Sequence, residues 1–283
     1  MNEISNAKKD DSSVMEQVDA RPFLRWAGGK QWFVKEVLEL TKDLEYNSYY
    51  EPFLGGGSVF FALKPKKAFL SDLNPELIET YRMVRWAPKK LISSLKNYSN
   101  TEKEYYEIRK KNPESNIERA ARFIYLNNTS YNGIYRVNRK GIYNVPYGFR
   151  ERYNIDETNF LSVRSALNVA ILTHGDFTNI KENIVKNDLV FLDPPYAVSH
   201  VNNGFIEYNQ KLFSLDDQKR LSELIDVIKS KEAYYIMTNA AHDEIKKIFN
   251  KGDQMIELKR ACTIGGVNAK REKITEYIFT NID

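Results

Sequence analysis

The stretch from Asn187 to Tyr196, Asn-Asp-Leu-Val-Phe-Leu-Asp-Pro-Pro-Tyr, constrains the fold more than any other. Its apolar run, Leu189 to Leu192, reads as a buried strand of a parallel sheet, because strands covered on both faces are continuously apolar rather than alternating. The run stops abruptly at Asp193. Ligands of open parallel sheets bind just beyond the strand carboxyl ends, so this pattern delivers Asp193 to a site. Pro194 and Pro195 then fix the backbone and lack N–H groups, which leaves their carbonyls to face a donor. Tyr196 adds a flat ring. A carboxylate, a fixed carbonyl and an aromatic face suit a planar heterocycle that carries an NH2 group. Asp193 and the Pro194 carbonyl would accept its two hydrogens, and Tyr196 would stack on the ring. The same residues also serve as an ordinary strand-to-loop exit, since Asp-Pro-Pro is common turn chemistry. The rest of the chain has to decide.

Upstream, Tyr49 to Glu51 reads as a short strand, Gly55-Gly56-Gly57 as a tight turn, and Ser58 to Leu63 as a helix with Ser58 as its expected N-cap. Strand, glycine turn, helix is the first unit of a Rossmann-like sheet. The Gly-x-Gly-x-x-Gly spacing of dinucleotide enzymes is absent, which disfavours a nicotinamide dehydrogenase. A glycine turn still lets a small ligand lie against bare backbone. Lys67 to Asn74 supplies the second strand, ending in Asp72. An acid there, at the end of the strand after the glycine turn, is placed to accept ribose hydroxyls; the alternative is that it caps the next helix. That helix starts with Asn74 as N-cap and Pro75 at its first position. Before all of these, Gly28-Gly29-Lys30 precedes a helical pattern running to Leu40. With no Ser or Thr after Lys30 and no earlier glycine at the required offset, it is not a phosphate-binding P-loop.

The sheet is expected to resume at Leu167 to Leu172, followed by Gly175-Asp176-Phe177, where another acid sits at a strand end beside an aromatic. A helix from Phe213 to Ile228 capped by Ser214, a strand from Ala233 to Thr238 and a helix from His242 to Phe249 follow. Ile256 to Arg260 and Ile274 to Thr280 read as a closing antiparallel pair, joined by a Gly/Asn/Lys-rich loop, Ala261 to Lys273.

Between about Arg85 and Arg152 the pattern changes to Tyr, Lys, Arg and Asn, interrupted by Pro88, Pro113 and Pro146. Ile117 to Asn127 reads as one amphipathic helix. After it, cations, amides and aromatic rings interleave up to Arg150. Such a surface can meet phosphates with its cations, base edges with its amides and arginines, and stacked bases with its rings. The alternative is a solvated, loop-rich insert, but the aromatic density favours the nucleic-acid surface.

Composition narrows the class. A chain of 283 residues with 42% hydrophobic content builds a sizeable core, and a net charge of +4 permits nucleic-acid binding without demanding it. The single cysteine, Cys262, excludes an internal disulfide framework and a zinc-finger cluster, and three histidines argue against a histidine-rich metal site, so no metal is expected. No apolar stretch approaches the ~18 residues of a membrane span. The polar segment 1–20 lacks a signal-peptide core and is expected to be a disordered tail. A cytoplasmic location is the default.

Taken together, the motifs resemble those of the Dam-type DNA adenine-N6 methyltransferases of the alpha class. The ordered matches are Pro22-Phe-Leu-Arg-Trp-Ala-Gly-Gly-Lys30, Glu51-Pro-Phe-Leu-Gly-Gly-Gly-Ser58, Ser71-Asp-Leu-Asn74, Tyr131-Asn-Gly-Ile-Tyr-Arg136 with Asn144-Val-Pro-Tyr-Gly148, Gly175-Asp-Phe177, and Asp193-Pro-Pro-Tyr196. Each is weak alone; six in this order are specific. The resemblance implies an α/β fold, a Rossmann-like, mostly parallel seven-stranded sheet that uses S-adenosylmethionine (SAM). Residues 21–84 and 166–283 would form the catalytic domain, and 85–165 an inserted, mainly helical target-recognition domain. It implies double-stranded DNA as partner and leaves a companion restriction endonuclease open. Trp26, Lys30, Asp72 and Asp193 match cofactor-contacting positions. Phe53, Gly55 and Gly57 lie in the turn against the methionine end, and Asp176 and Phe177 match the adenine end. Asp193, Pro194 and Tyr196 match the catalytic motif. Tyr131, Asn132, Ile134, Arg136 and Pro146 resemble the DNA-reading loop of GATC-specific members, with Arg136 at the guanine-reading position. Tyr135 departs from that pattern, which bears on flanking preference.

The chemistry of the residues agrees. SAM carries a sulfonium cation and no pyrophosphate, which suits acids around a turn that lacks the dinucleotide spacing. Two rival classes are kept: an RNA or protein methyltransferase sharing the tetrapeptide, and a catalytically silent DNA-binding module.

Overall fold

The apolar run Leu189–Leu192 forms strand β4, with all four residues buried, at the centre of a seven-stranded sheet. The computed structural model describes residues 19–26, 28–138, 140–150, 153–195, 213–261 and 273–282. Most of the expected tail, Tyr196, Cys262 and residues 262–272 of the glycine-rich loop lie outside them. The other strands are β1 (Tyr49–Glu51), β2 (Ala68–Asp72), β3 (Ala170–His174), β5 (Tyr234–Ala240), β6 (Gln254–Ala261) and β7 (Lys273–Thr280), in the order β3-β2-β1-β4-β5-β7-β6. The first five in that order pair in parallel, and β7 runs antiparallel to both β5 and β6.

Side chains alternate along each strand, and two cores result. Tyr49, Leu70, Leu189, Phe191, Ile236 and Ile278 face one of them. Tyr50, Val190, Leu192, Tyr235, Met237 and Phe279 face the other. The first core is covered by α1 (Val34–Thr41), α2 (Ser58–Leu63), α3 (Pro75–Trp86), α4 (Pro88–Lys96), α5 (Glu102–Lys110), α6 (Asn116–Thr129) and α7 (Glu157–Ala166), the second by α8 (Leu215–Ser230) and α9 (Asp243–Phe249). Several helices start where a side chain satisfies their first N–H groups. Asn74 accepts from Glu76 N and Leu77 N ahead of α3, with Pro75 in its first turn. Ser214 and Asp217 form a reciprocal capping box on α8. At the open edge, Arg82 and Arg85 of α3 donate to the free carbonyls of Leu172 and Ala170 on β3, each at 2.7 Å. That blocks further strand pairing.

Three expectations are corrected. Lys30 to Leu40 is not one helix: Lys30–Trp32 is a 3-10 turn, and α1 begins at Val34. Ser58 does not cap α2; the N-cap is Gly57, in the left-handed region at φ 68°, and Ser58 is the first helical residue. Leu167–Val169 is a 3-10 turn that finishes α7, so β3 starts three residues later than the apolar pattern predicts, at Ala170. Residues 85–165, expected to form an insert, are mainly helical, and the expected edges at 85 and 165 fall inside α3 and α7. Much of their aromatic content is core: Tyr105, Tyr125, Tyr143 and Tyr147 are buried.

Candidate active site

The strand order reverses direction between β1 and β4. Ligands of such sheets bind in the crevice at this switch, beyond the strand carboxyl ends. A cleft of about 480 Å³ lies there. Its walls come from residues at and beyond the carboxyl ends of β1, β2, β3 and β4, including Glu51 to Val59, Asp72, Asp176, Phe177 and Asp193 to Pro195, together with Trp26, Lys30 and Asp217. The structure thus brings together every described residue expected to meet the cofactor, along with Asp193 and Pro194.

Asp193 is the first residue past β4 and its side chain is 19% exposed. Lys30 Nζ lies 2.6 Å from its Oδ1 and 3.1 Å from the carbonyl of Gly28. Thr238 Oγ1 donates to the same Oδ1 at 2.8 Å. Burial pushes the Asp193 carboxyl above its ordinary value, and the Lys30 ammonium and Thr238 hydroxyl oppose that rise.

Asp72 ends β2. It accepts from Gly55 N at 3.0 Å and Asn74 N at 2.9 Å, so it braces the glycine turn as well as facing the cleft. Burial raises its carboxyl, and these backbone donors hold it back. The glycines are required first by the protein itself. A Cβ on Gly55 (φ 47°) would meet the Trp26 ring at 2.6 Å, and one on Gly57 would meet the Tyr81 hydroxyl at 3.0 Å.

At the other end, Phe53 stacks on Phe177 at 5.3 Å, and Phe213 packs against both. Asp176 accepts from Thr178 N and Oγ1 and pairs with Arg220 Nη2 at 2.7 Å. Arg220 lies over the Phe177 ring and also holds Asp217. Burial raises the Asp176 carboxyl, but Thr178 and Arg220 together bring it below the ordinary range.

The sequence reading passed over Glu51, Thr238 and Arg220. Glu51 closes β1, is 3% exposed, and accepts from the Tyr49 hydroxyl at 2.8 Å. Burial, reinforced by nearby Asp193 and Asp72, pushes its carboxyl up to about 8. Its signal was present, an acid at a strand end before a glycine turn. Thr238 and Arg220 had none, because only the sheet register and helix packing bring them to Asp193 and Asp176.

The segment expected to read DNA lies beside the cleft. Tyr131 N donates to Pro146 O at 2.9 Å, and Ser130 pairs with Tyr147. Val137 pairs with Tyr143, closing a turn through Asn138 N to Ile142 O. Tyr131, Asn132, Arg136 and Pro146 are exposed, whereas Ile134 is half-buried against the core. Arg136 Nε donates to Asn144 Oδ1 at 2.8 Å. Tyr135 points inward. It stacks on Trp26 at 5.7 Å and 18°, and its hydroxyl donates to Glu76 at 2.8 Å. The buried Asn127 amide ties Gly133 O and Arg25 O together.

Could this cleft hold SAM? The acids Asp72, Asp176, Asp193 and Asp217 suit a cation, Lys30 on its wall is engaged by Asp193, and Phe53 and Phe177 suit a flat base. The residues fit.

Comparisons with known proteins agree with this geometry. The model of the D12 class N6 adenine-specific DNA methyltransferase family matches residues 26–264. The chain is 35% identical to the type II methyltransferase M1.LlaDCHI of Lactococcus lactis subsp. cremoris, over 94% of this chain and 96% of that one. It is 33% identical to the type II methyltransferase M.MjaIII of Methanocaldococcus jannaschii, over 93% and 98%. It is 30% identical to a DNA adenine methylase of Haemophilus influenzae, over 94% and 95%. Among the described residues no helix is long and apolar enough to cross a membrane. Family membership implies SAM as methyl donor and DNA as substrate, and a crevice of acids and aromatic rings at the sheet's switch point is where that chemistry would sit. The chain belongs to the D12 class of N6 adenine-specific DNA methyltransferases.

Proposed function

We propose that the enzyme methylates the adenine of GATC in duplex DNA, taking the base out of the helix, with Asp193 and the Pro194 carbonyl holding its N6 group. The observation that carries this reading is the Asp193 carboxylate, fixed by Lys30 and Thr238 at the mouth of the central strand and open to the cleft. The N6 lone pair of adenine is delocalised into the ring and is a poor nucleophile. Asp193 Oδ and Pro194 O accept the two N6 hydrogens, favour a pyramidal nitrogen and stabilise the positive charge that develops there. SAM supplies a methyl group on a positively charged sulfur. Transfer would form the N–C bond from the N6 lone pair as the C–S bond breaks, leaving a neutral thioether, and the surplus N6 proton would pass to solvent water. Asp72 would accept the ribose hydroxyls, and Trp26, Phe53, Gly55, Gly57, Asp176 and Phe177 would line the rest of the donor site, with Lys30 held at Asp193. The amino group of a paired adenine is inaccessible within the stack, so the base must flip. Tyr196 is proposed to stack on it.

For recognition, residues 85–165 are proposed as the target-recognition domain. Arg136, oriented by Asn144, would hold guanine O6 and N7 as a fork. Ile134 and Pro146 would face a thymine methyl, Tyr131 would fill the space left by the flipped base, and Asn132 would bond nearby. Support comes from the resemblance of this loop to those of GATC-reading enzymes and from its seat against Trp26. Two relatives named type II methyltransferases support a role beside a companion restriction endonuclease.

The test is methylation of a random-sequence duplex pool, followed by sequencing of the modified sites. Modified adenines should centre on GATC. Arg136→Ala should lose ~1–3 kcal/mol of discrimination at one guanine. Methylation centred on another motif, or an Arg136→Ala variant with unchanged preference, would overturn the sequence assignment.

A further inference from the structure

Thr238 is fully buried in β5, directly after the apolar run Tyr235-Ile-Met237. A hydroxyl at such a position is costly unless it is bonded. Its partner follows from the register. Leu192 of β4 pairs with Met237 of β5, so the next step along both strands sets Asp193 beside Thr238. Alternation puts both on the same face of the sheet, and the 2.8 Å bond to Asp193 Oδ1 results. Lys30 Nζ reaches the same oxygen at 2.6 Å. Two donors therefore converge on Oδ1, and rotation of the carboxylate would break both bonds.

We propose that Thr238 is a positioning residue for methyl transfer: its hydroxyl, together with the Lys30 ammonium, pins Asp193 Oδ1 so that Oδ2 is the oxygen presented to the target amino group. This rests on the reading in which Asp193 holds adenine N6. It assigns different work to the two carboxylate oxygens, one structural and one facing the substrate. It also explains why a β-branched hydroxyl residue, and not valine, occupies the centre of this strand. The hydroxyl has a second consequence. Among the described residues, the charged and titratable groups that act on Asp193 or are acted on by it include Lys30 from the 3-10 turn, Tyr49 and Glu51 from β1, and Glu276 from β7. Lys30 favours the ionised form, and the acids oppose it. The Thr238 donor adds to Lys30, so its loss should make Asp193 harder to ionise.

The experiment uses the full chain, tritiated SAM and duplex DNA free of N6-methyladenine. Single-turnover rates across pH are measured for wild type, Thr238→Val, Thr238→Ala and Thr238→Ser, with SAM affinity by calorimetry. The valine and alanine variants should slow transfer roughly ten- to hundredfold, as expected on losing a hydrogen bond to a charged group. Their acid limb should move to higher pH while SAM affinity stays within ~threefold of wild type, and serine should restore both rate and limb. A valine variant as fast as wild type, an unmoved acid limb, or a rate loss that serine does not rescue would overturn the proposal. Asp193→Ala is run alongside. If it stays active, the reading of Asp193 itself fails. If it is inactive while Thr238→Val matches wild type, only the positioning role fails.

Discussion

Replacing Glu51 by Gln tests the electrostatics of the cleft without removing a hydrogen-bond acceptor. Glu51 is 3% exposed at the end of β1, and its carboxyl is pushed from 4.5 up to about 8. Burial is the main cause. Asp193 and Asp72 add to it, while the Tyr49 hydroxyl and the Phe60 backbone oppose it. In the unfolded chain this carboxyl loses its proton near the ordinary value, whereas in the folded chain it keeps the proton until about 8. The folded state thus binds the extra proton between these limits. The stability it brings is fully present below the unfolded value and is lost as pH rises through the folded one. At about 1.4 kcal/mol per unit, a window from 4.5 to about 8 corresponds to as much as roughly 4–5 kcal/mol. Glutamine keeps an acceptor for Tyr49 and cannot ionise. Urea unfolding of both proteins at about pH 5 and about pH 9 gives the comparison. The stability of Glu51→Gln relative to wild type should rise by several kcal/mol between the two conditions. A difference that does not change with pH would show that Glu51 ionises freely in the folded protein, and the reasoning would be wrong.

Two further outcomes follow from contacts around the glycine turn and Tyr135. Asp72→Ala should weaken SAM binding by ~1.5–3 kcal/mol through loss of a charged acceptor, and should also lower stability because Gly55 N and Asn74 N lose their partner. Calorimetry with unfolding separates the effects, and unchanged SAM affinity would leave Asp72 only a brace for the turn. Tyr135→Phe keeps the stack on Trp26 but loses the bond to Glu76, and should cost ~1–2 kcal/mol in urea unfolding. No loss of stability would contradict the inward role of this side chain.

The parts of the fold that were legible in the sequence were those encoded locally. The run Leu189 to Leu192 is apolar because β4 is covered on both faces, and its end at Asp193 is where the site begins. Asn74-Pro75 announces α3, and Ser214 announces α8 with its capping box. Errors arose where one residue type serves two ends. Ser58 is a good N-cap by type, but Gly57 takes that position because the turn needs a left-handed residue pressed against Tyr81. Leu167 to Val169 is apolar enough for a strand, yet it finishes the turn of α7 before β3 begins. The aromatic residues between Asn127 and Arg150 were read as a surface for bases, and some of them are packing: Tyr143 and Tyr147 are buried, and Tyr135 braces Trp26. Thr238 and Arg220 were invisible because their partners, Asp193 and Asp176, are 45 and 44 residues away in the chain.

The central claim is that Asp193 holds the N6 amino group during transfer. Wild type and Asp193→Ala, both folded, are incubated with SAM and duplex DNA free of N6-methyladenine, and the digested nucleosides are measured by mass spectrometry. Wild type should yield N6-methyldeoxyadenosine as its methylated product, and the variant should yield none. Near-normal formation of that nucleoside by Asp193→Ala, or a methyl group on cytosine in the wild-type digest, would contradict the account.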